Sequence, residues 1–72
     1  MSDADSSHWA VLRALLQAHP RMLERGELEA RLPYIERLDQ AVQELGADGL
    51  VNRLGDLVGA SRAAVRFNEL AR

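Results

Sequence analysis

Residues 35–68 read IERLDQAVQELGADGLVNRLGDLVGASRAAVRFN, and three structural signals follow one another there without a gap. Ile35, Leu38, Ala41, Val42 and Leu45 recur at helical spacing and make one narrow apolar stripe. The run from Gly46 to Gly49 interrupts that helix. Leu50 to Ala60 then divides into two short strands around Gly55-Asp56, a two-residue hairpin turn with glycine first. Ser61 stands where an N-cap belongs, ahead of a last helix on which Ala63, Phe67, Leu70 and Ala71 share a face.

Upstream of this stretch, residues 1–6 are polar and expected to form a disordered tail. The spacing predicts a first helix from His8 to Ala18, because His19 precedes Pro20 and is pushed out of helical geometry. Leu12, Leu15 and Leu16 are its inward residues, with Trp9 and Val11 at opposite borders of their stripe. Arg21-Met22-Leu23 reads as an extended segment able to join the hairpin as a third strand. A second helix starts near Glu24 to Gly26 and ends at Leu32-Pro33, burying Leu28 and Leu32 at i, i+4. Together these elements predict one domain spanning residues 1–72, α+β and mostly α, with four helices and two or three short strands.

At 72 residues, 47% of them apolar, the chain is marginal for a single core, and with no cysteine neither disulfides nor thiolate metal sites can reinforce it. Stability must come from packing or from self-association. No stretch is long and apolar enough to span a membrane, and the acidic start Met1-Ser-Asp-Ala-Asp is unlike a signal peptide, so a cytoplasmic location is expected. All nine basic residues are Arg; the choice over Lys fits phosphate or guanine recognition, or simply a GC-rich coding sequence rich in Ala as well. A net charge of −2 announces no basic face.

Catalytic constellations are not apparent. His8 and His19 are about three helical turns apart, roughly 16 Å, too far to share a metal. Ser7 and His8 are sequence neighbours without an orienting carboxylate. There is neither a glycine-rich phosphate loop nor an HExxH pair, and a chain this small leaves little room for a substrate cavity. These features argue against an enzyme and imply neither a cofactor nor a metal.

The order helix, short strand, helix, turn, helix, hairpin, helix resembles the winged helix-turn-helix pattern over nearly the whole chain. The likeness rests on Glu27-Leu28 with Leu32, on Ala41-Val42 with Leu45, on Asp48-Gly49-Leu50-Val51 and on Gly55-Asp56. The phrase LGADGLVNRLGD looks like the end of a recognition helix and the wing of small bacterial regulators, and SRAAVRFNEL is similar to the closing helix of actinobacterial winged-helix proteins. These motifs speak for fold more than for function, because winged helices also serve as protein-interaction modules. The chain departs from the pattern at Glu24-Arg25-Gly26-Glu27, where a Ser/Thr cap is usual and a DNA phosphate would approach, and at Asp56 on the wing tip, where Lys or Arg is common.

The resemblance implies a DNA-binding transcription regulator whose third helix, about 35–46, enters the major groove of double-stranded DNA. Gln40 and Gln43 would each contact adenine, and Arg37 guanine or a phosphate; Glu36, which could accept from cytosine, and Glu44 share their face. Ordinary i, i+4 surface pairing explains the same residues equally well. Backbone contacts would come from Arg25, Arg53 and Asn52. Arg25, Arg37 and Arg53 face Glu24, Glu27, Glu36, Asp39 and Asp56, so generic DNA would bind weakly, with Kd above about 10⁻⁴ M. A homodimer would then be needed for useful affinity. Trp9 either closes the core against the last helix or joins Val11 and Val65 in an interface; Tyr34 either packs on its turn or stacks on a sugar-phosphate backbone. The rival function is a protein-interaction module that binds a protein partner and no DNA.

Overall fold

The helix predicted first is longer than its periodicity announced: in a computed structural model, which describes residues 3–71, α1 runs Asp3–Ala18. It starts ahead of His8 and draws most of the expected tail, from Asp3 on, into its first turns; Met1 and Ser2 lie outside the described residues. An acidic residue near its start, Asp5, suits the positive end of a helix dipole. α1 is followed by β1 (Leu23–Glu24), α2 (Arg25–Arg31), α3 (Leu38–Ala47), β2 (Val51–Leu54), β3 (Leu57–Ala60) and α4 (Arg62–Leu70).

β3 is the central strand of an antiparallel sheet ordered β1-β3-β2. Leu23 and Arg53 both pair with Val58, Glu24 and Leu54 with Leu57, and Val51 with Ala60. Side chains opposite one another share a sheet face, so Leu23, Val51 and Val58 form the buried face on which α1 packs. The third strand is therefore present, but it begins two residues later than expected, at Leu23. Gly55 has φ +60°, the value the first position of a II′ turn demands, and any larger residue there would be strained.

α3 starts at Leu38, three residues after Ile35. Ile35 closes a turn in which its N–H donates to the Leu32 carbonyl at 3.2 Å, and it reaches the core from there, with a second turn at Glu36-Arg37 leading into the helix. Gly46 is absorbed into the helix, which ends at Ala47 with Asp48 as its C-cap, and the chain turns away at Gly49. There Gly49 takes φ +78°, its N–H donates to the Gly46 carbonyl at 3.1 Å, and the Leu50 N–H donates to the Leu45 carbonyl at 3.0 Å. These paired bonds satisfy carbonyls left open at a helix end, and they place Leu50 against the core.

Two helices bury faces other than those read from the sequence. α1 turns Val11, Ala14 and Leu15 fully inward and leaves Leu12 and Leu16 half-buried. Val11 is 0% exposed and so is a core residue, not part of an interface. Trp9 lies two residues away, about 200° around the helix, and is turned outward at 52% exposure. α4 buries Ala64 and half-buries Val65 and Asn68, while Phe67 and Leu70 face water. The small Ala64 lets α4 sit close to the rest of the fold, and the apolar stripe of Ala63, Phe67, Leu70 and Ala71 is left on the outside. The arrangement is α+β and mostly helical, and it is compatible with a winged-helix layout.

Candidate nucleic-acid interface

α3 carries the largest share of the candidate residues, and its buried stripe of Leu38, Ala41, Val42 and Leu45 fixes which side is outermost. An ion pair on one edge and a histidine–carboxylate contact on the other flank the outer side. On one, Asp39 is bound by Arg25 of α2, which also contacts Glu29 at 3.6 Å. On the other, the Glu44 carboxylate meets His8 Nε2 of α1 at 3.2 Å. Between them Gln40 and Gln43 stand exposed, and among the described residues neither amide has a hydrogen-bond partner. Arg37, at the N-cap of α3, is exposed and likewise unpaired among the described residues.

The two glutamines do not face the same neighbour. Gln40 and Arg37, with Tyr34, line an open groove of about 710 Å³ whose far wall is Ser7 and His8 of α1. Gln43 stands clear of that groove. Tyr34 is exposed on the turn before α3 and has not folded onto it.

The backbone candidates separate three ways. Arg25 is held between α2 and α3 by Glu29 and Asp39, with its Nε buried and unbonded, so its guanidinium is engaged within the fold and is not offered to a phosphate. Arg53 shares the sheet face of Val58 and lies along the end of α3, its Nε about 3.7 Å from where a side chain on Gly46 would begin. It is exposed, with no ion pair among the described residues. Asn52 alternates with Arg53 along β2 and therefore points to the opposite face, away from α3. Sequence adjacency had grouped the two; the strand period of two divides them.

The acidic start of α2 is a structural device. Glu27 accepts from the Glu24 backbone N–H at 3.4 Å and from Arg21 at 3.1 Å. The backbone bond first, and Arg21 second, hold the Glu27 carboxyl below the ordinary glutamate range. The Arg25 N–H donates to the Asp56 carbonyl at 3.0 Å, which sets the hairpin turn beside this helix end. Among the described residues Arg37 and Arg53 are thus the unpaired cations of this face, with Glu36 and Asp56 nearby in the chain.

The contacts that bracket α3 are not legible in the sequence, since Arg25–Asp39 and His8–Glu44 join residues far apart along the chain. Among the described residues no group of three His, Asp or Glu side chains converges as metal ligands, and no helix is long and apolar enough to cross a membrane. No family model, curated protein or solved structure matches the chain.

Proposed function

We propose that this chain is a small bacterial DNA-binding regulator of the winged-helix type, with α3 as the helix that enters the major groove and the β2–β3 hairpin as the wing. The observation that carries this reading is the crest of α3. Its acids, Asp39 and Glu44, are taken up by Arg25 and His8, and two neutral amides with free donors and acceptors remain between them. A carboxamide can bond adenine N6 and N7 together, and Arg37 offers a guanidinium for guanine or phosphate at the same helix start. Arg53 would meet the phosphate backbone beside the helix end. Arg25 becomes a positioning residue that holds α3 against α2.

With two free cations on this face, counterion release contributes little, so useful affinity requires two copies on two half-sites. An NMR titration of labelled protein with a GC-rich duplex, at low and then near-physiological salt, tests the reading. Shifts confined to Arg37, Gln40, Gln43 and Arg53 that fade with salt are expected. A spectrum unchanged even at low salt would remove DNA as the ligand.

A second reading, a protein-interaction module, is favoured by one observation: all three aromatic side chains of the chain, Trp9, Tyr34 and Phe67, are exposed. Aromatic residues on a surface are typical anchors of protein interfaces.

A further inference from the structure

We infer that the outward face of α4 is a self-association surface, pairing two copies of this chain antiparallel about a two-fold axis. Phe67 is 73% exposed and Leu70 67% exposed, and Ala63 and Ala71 beside them are also exposed. Spaced at i, i+4 and i+7, Ala63, Phe67 and Leu70 form one continuous strip along the helix. A charged strip, Arg62, Arg66 and Glu69, runs alongside it.

The order of those charges selects the occupant. An isologous contact needs a patch complementary to itself. When two copies of a helix pair antiparallel, the same flank of each meets the other in reverse. Glu69 of the second copy then lies between Arg62 and Arg66, the two Arg66 side chains flank the two-fold axis, and Arg62 approaches the C-terminal carbonyls of that helix, where a cation is favoured. The same register sets Leu70 over the small Ala63 of the other copy. A parallel pair would instead set this charged strip against the opposite flank of the second helix, where Ala64 and Asn68 carry no charge. Within one copy Arg66 and Glu69 are linked only at 3.7 Å with both side chains largely exposed, a contact easily exchanged for one between copies. The strip covers a few hundred Å² at most, below the roughly 800 Å² per partner of a standard stable interface, so the pair is weak, with Kd in about the upper micromolar range.

This inference goes beyond the DNA reading and is measured without DNA. Sedimentation velocity of the full chain from about 10 µM to about 1 mM should show a monomer–dimer equilibrium in that range. Phe67→Glu and, independently, Leu70→Glu should each raise Kd at least about tenfold, while circular dichroism shows the monomer still folded, since both side chains are exposed in it. Glu69→Arg should weaken the pair, and Arg66→Glu combined with Glu69→Arg should restore it. A chain that stays monomeric to about 1 mM, or a dimer indifferent to both apolar substitutions, overturns the assignment of this face. A double variant no better than Glu69→Arg alone overturns the antiparallel arrangement.

Discussion

Ser61 Oγ bridges two parts of the chain. It accepts from the Ala64 N–H at 3.1 Å, capping α4, and donates to the Gly49 carbonyl at 2.7 Å, just past the end of α3. Ser61→Ala removes both bonds and leaves a partly buried carbonyl short of a donor, so it should cost about 1–3 kcal/mol in urea unfolding with an unchanged m value. The cap was legible in the sequence, because a serine ahead of a helical run is a local signal. The bond to Gly49 was not, since it depends on a tertiary approach across twelve residues. Glu27 behaves similarly. The i, i+3 relation to Glu24 is local, whereas the pairing with Arg21 depends on how the chain enters β1. Its folded pKa lies below its unfolded one, so its contribution to stability is present at neutral pH and is lost as pH falls through the folded value. In a carbon-detected NMR titration, Arg21→Ala should raise the Glu27 pKa only partway to the ordinary range, because the backbone N–H is the larger cause.

At the scale of elements, periodicity located every helix and the hairpin, but it did not say which way two of the helices face. A stripe of apolar residues reports an amphipathic helix and nothing about its partner. On α1 the buried rung is Val11–Leu15, so Val11 has the role expected of Leu12, and Trp9 is carried outward. Val11→Ala should therefore cost about 2 kcal/mol by thermal or urea unfolding, and Trp9→Ala only about 1 kcal/mol. The reverse ranking would mean that α1 is rotated from the orientation described. On α4 the closest contact is made by Ala64, a residue too small to dominate a hydrophobic pattern, while the conspicuous Phe67 and Leu70 point away. The start of α3 was misplaced for another reason: Ile35 fits the helical stripe by spacing, but it reaches the core from a hydrogen-bonded turn.

For the whole molecule, the net charge of −2 is distributed so that much of the acid is used internally. Glu27, Glu29, Asp39 and Glu69 take part in ion pairs with Arg, and Glu44 contacts His8. What remains on the α3 side is close to neutral, with Arg53 beside the helix end. Under the DNA reading, Arg53→Ala should weaken binding to all sequences alike and reduce the salt slope by about one unit in a fluorescence-anisotropy titration. An unaltered slope would take Arg53 away from the phosphates. The candidate base-reading residues were legible because helix geometry alone makes Gln40 and Gln43 outward once the buried stripe is known; the electrostatic setting was not, because it is made between helices.

The core is built from Leu, Val and Ala, and no aromatic ring lies in it. This has an optical consequence. The lone indole, on Trp9, already samples water in the folded chain, so its emission maximum should move little when the protein is unfolded in guanidinium. A large red shift on denaturation would show that the ring is sheltered after all. The same side chain becomes a sensitive reporter of assembly, because any macromolecule that covers it should shift the emission to shorter wavelength while the backbone signal in the far ultraviolet stays constant.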